Sequence, residues 1–170
     1  SYSVRTLYAK SKFVGDNVGW TFDKMMETIN SMPEGMQAFF GESRDNIINN
    51  FFSNSMESFI DWETGDTKFE SQAFIDFIKF LATCPEKDYW SEYYDSLGDN
   101  YVYDEDKERE ISQTYELRFY NDKSLLDFGY VSAFSSVMYE LNTFATKEVT
   151  AIGYPADSGS GAVIYPSVEL

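Results

Sequence analysis

Apolar residues in this chain recur at helical spacing in long segments, and short apolar stretches lie between those segments. From Phe22 to Ile29 the apolar side chains follow the i, i+3, i+4, i+7 pattern, which places them on one face of a helix. Thr21 is suited to cap the start of this helix, and Pro33 lies beyond its end. Helices of this kind alternating with short strands predict a mixed α/β fold with more helix than strand.

The same criteria predict four further helices, four strands and one hairpin. The predicted helices span residues 43–58, 71–81, 107–119 and a segment capped by Ser132. The predicted strands span residues 4–9, 35–41, 125–130 and 149–154. A small hairpin turns at Gly65. Residues 86–106 are aromatic and acidic without a clear period, so no element is predicted there.

The balance of charge excludes whole classes of partner. Lys and Arg number 13 against 29 Asp and Glu, which gives a net charge of −16. A chain with this charge repels nucleic-acid phosphates and anionic lipid headgroups. No apolar run approaches the roughly 20 residues that a membrane helix needs. We therefore predict a globular domain that does not bind nucleic acid.

The chain contains no His and a single cysteine, Cys84, and both facts limit its chemistry. A serine or cysteine triad that relies on His is excluded, and the residue most used for zinc binding is missing. The acidic residues at 104–106 are of the type that binds calcium, but the segment lacks the glycine turn and the alternating oxygen ligands of an EF-hand loop. We predict a non-enzymatic protein without metal or cofactor, in which this run is a solvated helix start.

Aromatic side chains make up 18% of the chain, and 13 of them are Tyr. Most must pack in a core. Tyr and Trp also combine an apolar ring with a polar tip, which suits stacking on a sugar.

Four segments, in order along the chain, carry motifs that belong together. They are Trp-Thr-x-Asp at 20–23, the run 59–62 leading to Phe-x-Ser-x-x-Phe at 69–74, Leu-Leu-Asp-Phe-Gly-Tyr at 125–130 followed by Ser132, and Ile-Gly-Tyr-Pro at 152–155. Together they resemble the extracellular solute-binding proteins of ABC importers, the family that includes maltodextrin-binding proteins.

The resemblance implies a helix-rich lobe of a periplasmic-binding-protein-like (class II) α/β fold, with a small mixed sheet. Residues 1–170 would form a single domain, most of the second lobe of a two-lobe protein, and the first lobe and the C-terminal helices would be absent. Such lobes close on ligand by hinge bending.

The resemblance also implies two ligand-contacting turns, at 41–44 and 129–132, each before a predicted helix. The residues it points to are Glu42, Ser43, Arg44, Gly129, Tyr130, Ser132 and, in the last predicted strand, Tyr154. Tyr130 could stack on a sugar, and the charged and hydroxyl side chains could bind hydroxyl groups. Each residue also has a plain structural alternative, because Ser43 and Ser132 are suited to cap helices and Tyr130 to pack in its strand.

The expected function is ligand capture, of a carbohydrate, for delivery to ABC permease subunits in the membrane. The full-length protein would be monomeric and extracellular, and would be lipid-anchored to the membrane of a Gram-positive cell. Two alternatives remain. One is a cell-surface adhesion or interaction module that uses aromatic patches. The other is a fragment of a glycoside hydrolase, although 29 acids in 170 residues make chance carboxylate pairs certain.

Overall fold

The computed structural model describes residues 2–16, 18–99, 101–144, 146, 148–159 and 163–166. The strands are β1 (Tyr2–Lys10), β2 (Leu126–Val131), β3 (Val149–Ala151) and β4 (Val163–Pro166). The helices are α1 (Ser11–Val14), α2 (Phe22–Asn30), α3 (Arg44–Ser55), α4 (Gln72–Thr83), α5 (Tyr89–Leu97), α6 (Glu105–Glu116) and α7 (Phe134–Thr143). A 3-10 turn at Met56–Ser58 follows α3 directly. The predicted mixed α/β fold with more helix than strand is confirmed.

β1 is the central strand of the sheet. β2 pairs with it on one side, in antiparallel register from Val4 opposite Val131 to Ala9 opposite Leu126. β3 and β4 pair with the other side of β1, and both are antiparallel to it. The sheet was predicted to be mixed, but its four described strands are antiparallel. Parallel pairing is limited, among the described residues, to an isolated bridge between Gln37 and Ser124.

The sheet separates two apolar cores, because side chains alternate between its faces. Leu7 and Ala9 on β1 face the larger core, which is formed mainly with α2, α3 and α4. Tyr8, between them, points to the opposite face and packs with Phe119 and Phe144. The result is a layer of helices on one face of the sheet and a smaller apolar cluster on the other.

Side-chain caps at three predicted helix starts are confirmed. Thr21, Ser43 and Ser71 each accept a hydrogen bond from the backbone N–H three residues later. These bonds satisfy donors that have no partner within the helix. The starts of α2, α3 and α4 are thus encoded locally in the sequence.

The predicted strand at 35–41 is wrong. The segment is irregular apart from the bridge at Gln37, and glycines with positive φ flank it, Gly35 at 86° and Gly41 at 85°. Backbone pairing in this segment is limited to that one bridge, so it does not form a strand. The predicted hairpin around Gly65 is likewise reduced to one bridge between Ile60 and Thr67.

Two helix predictions need correction. Ser132 does not cap α7, which begins after Ala133 without a side-chain cap; the Ser132 hydroxyl instead lies 3.5 Å from that of Ser136. Helix α5 was not predicted. Asp88 caps it, and it packs through aromatic rings rather than through an aliphatic stripe. Among the residues that the structure describes, every helix is too short or too polar to span a bilayer.

Candidate functional site

Two chain segments run side by side in the same direction before each enters a helix. The Leu125 N–H donates to Gln37 O at 2.9 Å, and the Leu126 N–H donates to Ala38 O at 2.8 Å. Beyond this contact, the first segment turns at Gly41 into α3, and β2 continues to Val131 and then into α7. The starts of both helices therefore lie beyond the carboxyl ends of neighbouring parallel segments.

A cleft of about 290 Å³ lies along the outer edge of β2, on the side away from β1. We call it the β2-edge cleft. It is lined by Glu42, Asn46, Asn50, Tyr115, Arg118, Asp127, Phe128, Tyr139, Glu140 and Phe144. Its volume is at the lower end of the range of ligand sites, about 300–1,000 Å³. Its walls combine carboxylates, side-chain amides and aromatic rings.

A buried ion pair forms the floor of the cleft. The Arg118 guanidinium donates to an Asp127 carboxylate oxygen, and it also donates to Tyr115 O at 2.9 Å. Both charged side chains are about nine-tenths buried. Burial raises the pKa of Asp127 to about 6, because the loss of hydration outweighs the attraction of Arg118. The floor is thus a charged pair that is held largely out of water.

Two further carboxylates stand on the walls. Glu42 accepts a hydrogen bond from the Asn46 side-chain amide. Glu140 on α7 accepts one from the Tyr130 N–H, at 3.1 Å, through Oε1. This second bond ties the C-terminal half of α7 to the end of β2. Of the two turns that were predicted to contact ligand, the first contributes Glu42 to the lining of the cleft, whereas no side chain of residues 129–132 lines it.

The amide groups come from one face of α3. Asn46 and Asn50 follow Glu42 at intervals of four residues, and the Asn50 amide donates to Asn46 Oδ1 at 3.1 Å. The Tyr154 hydroxyl lies 3.4 Å from Asn50 Oδ1. This interval places Glu42, Asn46 and Asn50 in a row along the cleft.

The residues predicted in the first turn have separate roles. Glu42 lines the cleft, whereas the Ser43 hydroxyl caps α3. Arg44 points away from the cleft and donates to the carbonyl oxygens of Leu81 and Cys84, both at 3.0 Å. Arg44 thus joins the start of α3 to the end of α4, where carbonyl groups lack helical partners.

The residues predicted in the second turn also differ from one another. Tyr130 is about half exposed and reaches the cleft through its backbone bond to Glu140. Gly129 leaves room for the Tyr8 ring, since a Cβ at this position would lie 2.4 Å from a ring carbon. Ser132 is exposed and does not line the cleft.

Tyr154, the last of the predicted residues, is buried in the larger core, where its ring lies 5.7 Å from that of Phe51. It contacts the lining of the cleft through Asn50 and through the ring of Phe128.

Most of the polar lining of the cleft was not predicted from the sequence. The row of Glu42, Asn46 and Asn50 could have been found, because amides at four-residue spacing weaken a helix and need a reason. Asp127 gives a similar signal, since it interrupts an apolar strand. Arg118 and Glu140 come from elements that are distant in sequence, and no local pattern marks them.

A larger groove, of about 1040 Å³, lies between α2, α4 and the segment 37–41. Its floor is mostly apolar and includes Met26, Ile29, Met32, Phe39 and Phe80. Two of the charged residues near its mouth are lysines that already have acidic neighbours, Lys79 with Asp76 at 3.7 Å and Lys87 with Asp95 at 2.5 Å. The lining of this groove also includes the polar side chains of Asn30, Gln37, Thr83 and Glu92.

Within the described part of the chain, no group of three or more His, Cys, Asp or Glu side chains is arranged to hold a metal ion. Comparisons with protein-family models, with curated proteins and with solved structures found no match to this chain.

Proposed function

We propose that this chain captures a carbohydrate, as the second lobe of an extracellular solute-binding protein that delivers its ligand to an ABC permease. The observation that carries the proposal is one cleft in which carboxylates, side-chain amides and aromatic rings meet beside the start of α3. In this proposal the fold is of the class II binding-protein type, and the parent protein is anchored to the cell membrane by lipid.

The position of the cleft supports ligand binding. Ligands of open α/β sheets bind beyond the carboxyl ends of the strands, where the chain enters helices. The segment at 37–38 and the start of β2 run in parallel, and the helices that follow them begin at Arg44 and Phe134. The β2-edge cleft lies beside the start of α3, and α7 lines it with its C-terminal half.

The chemistry of the walls supports a saccharide. Carboxylates and side-chain amides bind sugar hydroxyl groups in pairs, and aromatic rings pack against the apolar faces of a pyranose. The cleft offers both kinds of group, with Tyr139 about three-quarters exposed at its rim. No covalent chemistry is needed for this role.

An apolar surface borders the cleft and favours a facing partner. Tyr130, Phe134, Met138 and Tyr139 are all at least 45% exposed, and they lie within ten residues of one another. In a two-lobe protein this surface would face the first lobe across the ligand. The same surface is the best argument for the interaction-module alternative, in which it would bind another protein directly.

The test is a titration of the isotopically labelled chain with glucose, maltose and cellobiose. Binding is monitored by the chemical shifts of backbone amides in NMR spectra, because these shifts detect the weak binding expected of a single lobe. We expect saccharide-dependent shifts at Tyr130, Asn46 and Asn50. Silence towards all saccharides, with shifts caused by peptides instead, would overturn the proposal.

A pair of variants tests whether the cleft is the site. Tyr139→Ala should weaken saccharide binding roughly two- to tenfold, the effect of losing one aromatic contact. Tyr103→Ala, at a tyrosine of similar exposure outside the cleft, is the matched control and should bind like the wild type. Equal losses in both variants would show that the site lies elsewhere.

A further inference from the structure

The larger groove, which we call the α2–α4 groove, has the size of a small-molecule site. Its volume of about 1040 Å³ is at the upper end of the range of ligand sites, about 300–1,000 Å³. Helices α2 and α4 both end at it, since the last residue of each, Asn30 and Thr83, belongs to its lining. The groove and the β2-edge cleft share no lining residue.

The floor of the groove is a place where the larger core comes close to the surface. Met26 and Ile29 are buried members of that core, and Met32 and Phe80 are half-buried and pack against it. All four line the groove. Apolar surface that still contacts water here would be covered by the apolar part of a ligand, and this favours the binding of such a ligand.

The rim of the groove is polar but carries no net charge. Two lysines, Lys79 and Lys87, are balanced by two acids, Asp76 and Glu92. Lys79 lies 3.7 Å from Asp76, and Lys87 is paired with Asp95 outside the lining. The described lining therefore offers an excess of neither charge, so it is complementary to a ligand without charge.

Two side-chain amides at the rim can bind a neutral polar group. Asn30 and Gln37 are both exposed, and their side chains make no hydrogen bond to another described residue. The backbone of Gln37 is fixed, since its N–H donates to Lys123 O and its O accepts from the Leu125 N–H, each at 2.9 Å. A carboxamide both donates and accepts, so it can bind a hydroxyl group in either sense.

We propose that the α2–α4 groove binds an uncharged amphiphile, which has an alkyl chain and a hydroxyl head group. The chain packs on Met26, Met32 and Phe80 along the floor, and the hydroxyl group bonds to the amides of Asn30 and Gln37 at the rim. Methionine side chains adapt to different ligand shapes, because the thioether is flexible and polarisable. This site is separate from the saccharide cleft and does not depend on the proposed function.

Methionine methyl groups report binding in this groove directly. The chain with isotopically labelled methionine methyl groups is titrated with n-decanol and followed by NMR. We expect shifts at Met26 and Met32, and none at Met138, which is exposed on α7 and controls for adsorption to apolar surface. The shorter n-octanol should bind about tenfold more weakly, because two fewer methylene groups are buried.

The charge of the head group is tested with decanoate and decylammonium, which keep the chain of n-decanol. We expect each of them to bind roughly fivefold more weakly than n-decanol at Met26 and Met32, the effect of disturbing one exposed ion pair at the rim.

A pair of variants at the end of α4 locates the site. Thr83→Trp places a large ring at the rim and should abolish the shifts that n-decanol causes at Met26 and Met32. Ala82→Trp, at the neighbouring exposed position outside the lining, is the matched control and should keep them. The amide spectrum of each variant verifies that it is folded.

The absence of shifts at Met26 and Met32 overturns the proposal, whether or not Met138 shifts. Equal or tighter binding of either charged amphiphile also overturns it, as does unchanged binding in a folded Thr83→Trp variant. If that variant does not fold, the chain-length and head-group comparisons decide alone. Saccharide capture is tested separately, because the groove and the cleft have no lining residue in common.

Discussion

At the scale of single residues, Asp127 has the most distinctive environment. Its ordinary pKa of 3.8 is raised to about 6 in the folded protein, so the native state keeps this proton to higher pH than the unfolded chain does. The stability that this difference contributes is complete below about pH 4 and is lost as the pH rises through 6. The shift corresponds to a free energy on the order of 3 kcal/mol.

Asp127→Asn should remove this pH dependence. The free energy of unfolding of the variant, relative to the wild type, should rise by on the order of 3 kcal/mol between pH 4 and pH 7, since Asn cannot ionise. Urea denaturation at intervals of one pH unit measures it. The trend with pH is the readout, because the variant also loses the ion pair with Arg118. The exposed Asp66→Asn is the control, and a flat difference for Asp127→Asn would contradict the prediction.

Gly41 is a residue whose importance comes from backbone conformation. Its φ is 85°, and a Cβ there would lie 2.6 Å from a ring carbon of Tyr115. Gly41→Ala should therefore destabilise the protein by about 1–3 kcal/mol, through strain and displacement of the ring. Thermal unfolding measures the loss. Gly65→Ala is the control, because it shares a positive φ of 77° but has open space around it. Equal losses in the two variants would assign the cost to backbone strain alone.

The roles of some residues could be predicted from the sequence and the roles of others could not, for a physical reason. Ser43 carries a local signal, because a cap and the helix it starts are neighbours in the chain. The roles of Arg44 and Gly129 depend on Cys84 and Tyr8, which come from other parts of the sequence. Glu42 was predicted as a site residue because the sequence around it resembles a known family, whereas no such resemblance pointed to Arg118 or Glu140.

At the scale of elements, α5 shows how a helix can form without an aliphatic stripe. Its Tyr89 ring stacks on Tyr115 at 5.5 Å, and the Tyr93 hydroxyl donates to Glu108 of α6 at 2.8 Å. Because tyrosine buries its ring and exposes its hydroxyl, an aromatic and acidic sequence lacks the periodic pattern that predicts a helix. Helices that have capping residues and a periodic apolar stripe, such as α2 and α4, were predictable.

The cap of α5 can be tested directly. The Asp88 carboxylate accepts from the N–H groups of Trp90 and Ser91, and these bonds lower the pKa of Asp88. Asp88→Ala should reduce the free energy of unfolding by about 1 kcal/mol, whereas Asp88→Asn should retain most of it, because Asn caps equally well. Urea denaturation compares the two. If Asn were as damaging as Ala, the charge rather than the cap would be responsible.

At the scale of the whole molecule, the net charge of −16 is carried mostly at the surface. Like charges repel one another in the compact state more than in the unfolded chain, and salt screens that repulsion. The melting temperature should therefore rise as NaCl is increased from 0.02 M to about 0.5 M. Differential scanning calorimetry at constant pH measures it. A fall over this range would mean that the surface ion pairs, such as Lys68 with Asp157 at 2.5 Å, outweigh the repulsion.

The central position of β1 also constrains the order in which the chain can fold. β1 spans residues 2–10, yet its partners begin at Leu126, so more than a hundred residues must be made before the sheet can close. The helices α2, α3 and α4 pack on one another through contacts that are closer in sequence. During synthesis these helices can associate early, while both edges of β1 are still unpaired. Formation of the sheet is therefore the slow and aggregation-prone step of folding.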